Sequence, residues 1–277
     1  VRDGHGPGTV RDHLLKVEGA GNDFLLGTGG WADRLTRDPG LVARLCRRHR
    51  GVGADGALAV VAAGEREVRL HYRNADGSEA AFCANGTRCA ARAAVELLGM
   101  PPRPTILTAW APIPAVVEGE AVTLELPPPG GAPRPVELEA GGRTWAGWLL
   151  EVGVPHLVLP VQDLGRIDLA TAGPALRGHP DLGAGGANVN LVEPAGPGLL
   201  AIRSFERGVE AETLSCGSGV VAAALCWLAD GHRKRLAFAT RSGDELVVEV
   251  PGDPVTGPAR LTGPARFVAE IRPLEER

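Results

Sequence analysis

Cys83-Ala-Asn-Gly86 and Cys216-Gly-Ser-Gly219 share one pattern, a cysteine followed by small residues and a glycine, at an offset of 133 residues (216 minus 83). The same offset aligns three further landmarks in the same order. Leu70-His-Tyr-Arg-Asn74 falls on Arg203-Ser-Phe-Glu-Arg207, and Gly53-Ala-Asp-Gly-Ala-Leu58 on Gly186-Ala-Asn-Val-Asn-Leu191. Glu18-Gly-Ala-Gly-Asn-Asp23 falls on Glu151-Val-Gly-Val-Pro-His156. Each pair alone is weak, but four at one spacing imply an internally duplicated chain. Two such halves face each other across a cleft lined by corresponding loops.

Each half reads alike around its cysteine. Alternating stretches at Val68–Tyr72, Leu199–Phe205 and Leu246–Val250 predict strands bounded by Gly, Pro and Asp turns. A helix follows each cysteine. In the first, Ala90, Ala91, Ala94, Val95 and Leu98 keep helical spacing and Gly99 supplies the stop. In the second, Val220–Ala229 is apolar on every side and Gly231 ends it, so this helix belongs inside a wrapping sheet. The proline-rich loop Pro127–Pro135 separates the halves, with the boundary near residues 115–125. Val1–Asp12 is Gly-rich and polar, without the apolar core of a secretory signal, and is expected to be a loose extension.

A helix start offers unpaired N–H groups and partial positive charge, which favour a thiolate and depress a cysteine's pKa. The same amides can hold a carboxylate. Two helix starts in one cleft would set Cys83 and Cys216 on opposite sides of a bound amino acid. The amides of Ala84, Asn85, Gly217 and Ser218 would then grip its α-carboxylate. Stereoinversion requires a base on one face and an acid on the other, which two thiols supply and one does not. Cys46, Cys89 and Cys226 read as buried small hydrophobes. Cys83 and Cys89 make a poor zinc pair, since no further Cys/His pair with ligand spacing accompanies them.

The composition excludes other classes. At 277 residues the chain is long enough for two domains. A net charge of −4 and a pI near 6.0 leave no basic footprint for nucleic acid. No run of about 18 apolar residues would span a membrane. Five cysteines at irregular spacing fit a reduced, cytoplasmic protein better than a disulfide framework. The only lysines are Lys16 and Lys234, neither in a phosphate-binding context, so a pyridoxal Schiff base is not expected. Gly51-Val-Gly-Ala-Asp-Gly56 matches no dinucleotide or phosphate-loop fingerprint. Neither a cofactor nor a metal is expected, and the partner is a small-molecule amino acid.

The chain also resembles the diaminopimelate epimerase family. The matching runs are Gly19-Ala-Gly-Asn-Asp-Phe24, Arg50-Gly-Val-Gly-Ala-Asp55, Asn74-Ala-Asp-Gly-Ser-Glu79 and Cys83-Ala-Asn-Gly-Thr-Arg-Cys89. They continue with Gly153-Val-Pro-His156, Ala187-Asn-Val189, Glu206-Arg-Gly208, Glu212-Thr-Leu-Ser-Cys-Gly-Ser-Gly219 and Leu261-Thr-Gly-Pro-Ala-Arg-Phe267. The resemblance covers about residues 14–272. It implies an α/β fold of two pseudo-symmetric domains, each a curled mixed or antiparallel sheet around a central helix, with the final strand returning to the first. On this chain that means a first domain of 13–118 plus 265–277 and a second of 119–264.

The resemblance implies epimerisation of LL-2,6-diaminopimelate to the meso form, a step towards lysine and cell-wall peptide, and a homodimer. By position, Cys83 and Cys216 are the acid/base thiols, and His156 and Glu206 assist by exchanging protons or holding an ammonium. Asn22, Asn74, Asn188 and Arg207 match ligand-binding positions, whose chemistry suits amino-acid head groups. Arg207 with Glu206 could hold the distal, unreacting head. Gly56 and Val154 stand where many members carry a substrate-contacting glutamine and an asparagine, so both would be weakened contacts. Ala84 and Ala111 each replace a usual glycine, and one extra residue separates Glu206 from Cys216. These departures leave a two-cysteine racemase of another amino acid, such as histidine or proline, as an alternative. A non-catalytic amino-acid-binding protein of the same fold is a further one.

Overall fold

The computed structural model describes residues 12–228 and 234–274. In the first half the elements run β1 (Leu14–Gly19), β2 (Asn22–Gly27), α1 (Gly30–Arg37), α2 (Pro39–Cys46), β3 (Gly56–Ala62), β4 (Glu67–Asn74), α3 (Ala84–Glu96), β5 (Thr105–Leu107), β6 (Pro112–Glu118) and β7 (Ala121–Leu126). The second runs β8 (Arg134–Ala140), β9 (Arg143–Val152), β10 (Val154–Pro160), α4 (Leu169–Arg177), β11 (Asn188–Gly196), β12 (Leu199–Glu206), β13 (Ala211–Thr213), α5 (Gly217–Trp227), β14 (Arg235–Ala239), β15 (Glu245–Glu249), β16 (Ala259–Pro264) and β17 (Arg266–Glu270). The expected strands and both post-cysteine helices are present. Gly99 follows α3 in the left-handed region at φ +69°, as a stopping glycine should. Leu228 caps α5, and Gly231 lies outside the described residues. So does most of the expected N-terminal extension, but Asp12 is tied in, accepting a hydrogen bond from the Gly30 amide at 2.8 Å.

The strand pairings repeat at the offset seen in the sequence. β2 runs parallel to β3, and β10 parallel to β11. β4 is parallel to β5, and β12 to β14. The remaining neighbours within each half are antiparallel. Hydrogen bonding passes from one half into the other through the antiparallel β6–β7 and β7–β16 pairs, so the ladder is continuous. At the far ends β8 pairs with β9, while β17 crosses back to β1. The sheet does not close, because β8 and β17 remain its edges.

Each sheet wraps its own helix for the reason α5 makes plain. From Val220 to Cys226 every residue of α5 is buried, and a helix without a polar face must be covered all round. α3 is similar, with ten of its residues buried from Ala84 to Ala94. Both helices share one apolar core that continues across the junction of the halves. Smaller cores lie outside the sheets, one beneath α1 and α2 and one beneath α4. No helix among the described residues is long and apolar enough to cross a membrane.

Candidate active site

Cys83 and Cys216 occupy the N-cap of α3 and α5, each with extended backbone (φ −145°, ψ 112° and φ −118°, ψ 104°). The duplicated sequence thus builds the same corner twice. The two corners abut: a Cβ placed on Gly217 would lie 2.7 Å from the Cβ of Ala84. Those are the residues directly after the two cysteines, so only a glycine at one of them allows this approach. Asn85 ties the corners together, donating to the Ser215 carbonyl at 3.1 Å and lying 3.2 Å from its hydroxyl. Its own carbonyl accepts from Arg88 at 2.8 Å. The Asn85 side chain is therefore a strut across the junction.

Asn22 donates to Asp55 Oδ2 at 2.8 Å, which turns its Oδ1 towards the Cys83 sulfur, 3.5 Å away. An amide oxygen only accepts, so it faces the thiol hydrogen. Asp55 also meets Arg48 at 2.9 Å, and Asp23 meets Lys16 at 2.5 Å and Arg48 at 3.2 Å. Burial opposes ionisation of Asp23, but these cations outweigh it and hold its carboxyl below the ordinary value. On the other side, Glu206 accepts from the Thr213 hydroxyl at 2.5 Å and from Cys216. Ser218 places its hydroxyl 3.7 Å from the Cys216 sulfur.

The expected acidification of the thiols is not found. Burial, reinforced by the Glu206 carboxylate, pushes Cys83 up to about 11, although the Gly86 and Asn85 amides pull the other way. Burial and then Glu206 raise Cys216 well above its ordinary value. Helix-start amides do favour the thiolates, but Cys216 is buried and Cys83 half-buried, and the loss of water around the sulfurs costs more than those amides return. Glu206 is itself raised by burial, against the bonds from Thr213 and Cys216. Its carboxylate acts on both sulfurs, which sets it close to the thiol pair.

His156 is fully buried, pairs across the parallel ladder with Asn188, and has Asn190 Nδ2 3.2 Å from its Nδ1. Burial, then the charge of Arg207, lower its pKa to about 3, so at neutral pH it is uncharged. Asn188 is buried and accepts from the Arg207 amide at 2.7 Å. Arg207 is half-buried as a residue, and its guanidinium donates to the Gly185 carbonyl at 3.3 Å on the exposed side. Asn74 begins a turn, with Nδ2 3.0 Å from the Ser78 hydroxyl.

The two weakened positions have different surroundings. A Cβ at Gly56 would lie 2.5 Å from the Arg73 carbonyl and 2.8 Å from the Tyr72 ring, so the backbone admits no side chain there. Val154 follows Gly153, which turns at φ +71° against the Trp110 ring.

Several functional neighbours were not read from the sequence. Tyr72 is raised by burial and then by the charges of Cys83 and Glu206, which sets it near those two groups. Arg88 is fully buried under Cys83 with its Nε on the Pro264 carbonyl at 3.2 Å. Thr213, Ser215 and Asn190 hold site residues in position. The offset offered partial signals, since it aligns Asp23 and Asp55 with His156 and Asn188. Among the described residues no three His, Cys, Asp or Glu side chains group as a metal site.

Comparison with known proteins finds relatives along nearly the whole chain. The family model described as diaminopimelate epimerase matches residues 14–106 and 148–268. A diaminopimelate epimerase of Aquifex aeolicus (strain VF5) is 33% identical over 274 residues, covering 94% of this chain and 97% of the relative. That of Chlorobaculum tepidum is 36% identical over 261 residues, covering 91% and 97%. Among solved structures, a hydroxyproline epimerase from Agrobacterium vitis with bound trans-4-hydroxy-L-proline superposes with a TM-score of 0.71 at 20% identity, covering 94% of this chain and 90% of that one. A phenazine biosynthesis protein of the PhzF family from Bacillus anthracis gives 0.70 at 14% identity, covering 95% and 99%. At such identities the two structures speak for the fold alone.

Proposed function

The chain belongs to the diaminopimelate epimerase family, and from that premise we propose that it interconverts LL- and meso-2,6-diaminopimelate with Cys83 and Cys216 as its two proton carriers. One sulfur, as thiolate, takes the α-hydrogen. The C–H electron pair passes into the carbanion conjugated with the α-carboxylate. The opposite thiol then returns a proton to the other face, and the two cysteines exchange protonation states. No redox partner enters the balance. The cleft lies between a first unit of 13–118 with 265–277 and a second of 119–264.

The observation carrying this reading is the junction of the two helix starts, with Ala84 against Gly217 and Asn85 bonded to Ser215. Helix-start amides suit the α-carboxylate there. Glu206, bonded to Cys216, is the base that takes up the thiol proton as the substrate displaces water. The raised thiols suit a resting protonated pair. Arg207 supplies a bidentate partner for the distal carboxylate, a preference a single-headed amino acid would not use.

The test is hydrogen isotope uptake from deuterated water. Early product should carry deuterium at the inverted carbon while remaining substrate stays protiated. Equal early labelling of both would mean one base serves both faces and would refute the paired-thiol scheme. Faster turnover of histidine or proline than of LL-diaminopimelate would overturn the substrate assignment alone.

A further inference from the structure

Asn190 is buried in β11 with no exposed surface, and all of its amide is engaged. Its Nδ2 faces the Leu157 carbonyl at 3.4 Å, the Asn188 carbonyl at 3.5 Å and His156 Nδ1 at 3.2 Å. Its Oδ1 accepts from the Ser204 hydroxyl at 2.9 Å. Two carbonyl oxygens beside one end of the amide settle which end is the NH2, because the flipped amide would set oxygen against oxygen. His156 Nδ1 therefore faces a donor and must accept. A neutral imidazole that accepts at Nδ1 carries its hydrogen at Nε2.

That Nε2 is fully buried and has no hydrogen-bond partner among the described residues. An orphaned buried donor is costly unless something completes it. The amide that fixes it is wedged against the first turn of α5. A Cβ on Gly219 would lie 2.1 Å from Asn190 Oδ1, so Asn190 is seated only because residue 219 is glycine. His156 is thus indexed to the helix start that Cys216 caps.

We propose that Asn190 is a positioning residue that locks His156 as the neutral Nε2–H tautomer, and that this N–H donates a hydrogen bond to a carboxylate oxygen of the bound amino acid. The inference rests on the epimerase reading. Negative charge grows on the carboxylate as the α-hydrogen leaves, so a fixed donor strengthens its bond in the transition state. With Nδ1 engaged by Asn190 and its hydrogen on Nε2, the ring offers no free lone pair for the migrating proton.

The first measurement uses the unaltered protein. Nitrogen-15 NMR of labelled histidine should show Nε2 protonated and Nδ1 bare for His156, and Nδ1–H would overturn the proposal whatever the thiols do. Two variants then test function. His156→Gln keeps an N–H near the Nε2 position but cannot titrate, so it should retain at least about tenfold more kcat than His156→Ala, whose loss is expected near 100-fold. Equal losses in the two folded variants would overturn the donor role. Asn190→Asp replaces a donor by an acceptor and should move the proton to Nδ1, lowering kcat while thiol alkylation at Cys83 stays at its normal rate. An unmoved tautomer would also refute it. Failure of the epimerase reading is a separate event, seen when Cys83→Ala keeps full activity.

Discussion

Gly217→Ala should be felt in both stability and rate, and Ala84→Gly should rescue it. The new methyl would meet the Ala84 Cβ at 2.7 Å, where carbons rest at about 3.5–4.0 Å, so the helix starts must part by about 1 Å. Neither carbon can swing away, because both are fixed to helix backbone. Overpacking of this kind costs about 1–3 kcal/mol. Helix propensity works the other way by at most about 1 kcal/mol, so the variant should still be less stable in urea. A displacement of about 1 Å between the thiols should lower kcat by about 100-fold. In the double variant the carbon–carbon clash disappears. What remains is Asn85 Oδ1 at 3.2 Å and Leu261 Cδ2 at 3.3 Å, and the leucine tip can turn aside. The double variant should therefore recover at least about tenfold in rate, a coupling of about 1.4 kcal/mol at that ratio. Urea midpoints and initial rates of deuterium uptake for all four proteins give the cycle. Simple additivity of the two single effects would refute the contact between residues 84 and 217.

Cys83→Ala and Cys216→Ala should each lower interconversion by at least about 100-fold, as loss of a positioned acid or base does, measured by chiral chromatography of the product. Glu206→Gln removes a negative charge beside both sulfurs, so alkylation of Cys83 and Cys216 should begin at lower pH while kcat falls about 100-fold or more. On the alkaline side, Cys46 and Cys83 are raised from 9.0 to about 11, mainly by burial. The native state then keeps protons the unfolded chain releases, so stability is intact below pH 9 and lost as pH climbs towards 11, at about 1.4 kcal/mol per unit for each thiol. Urea titrations across that range should show the loss, reduced in Cys46→Ala. On the acid side His156 is lowered from 6.5 to about 3, mainly by burial, so its share of stability is present above pH 6.5 and lost as pH falls through 3. His156→Gln should flatten that limb.

Much of the architecture is visible along the chain because it depends on periodicity and repetition. An apolar-all-round helix after Cys216 demands a wrapping sheet, and the offset of 133 residues predicts that whatever one half does, the other repeats. The return of β17 to β1 came from the family resemblance, since no local pattern says which half a terminal strand will join. Asn85 and Asn74 look equally available as ligands in sequence. Folded, one is a strut between helix starts and the other holds a turn, because hydrogen-bond partners come from distant segments.

Sequence by itself determined the two helix-capping cysteines, the duplication and part of the set of polar residues that gather round them. Tertiary structure alone decided their charge states. Local pattern supplies the helix-start field, which acts over one turn and favours thiolates. Burial depends on how completely both halves cover the site, and it acts on each charged form in the opposite sense. That is why Cys83 and Cys216 rest protonated, and why His156 is held neutral with its Nδ1 on the amide of Asn190.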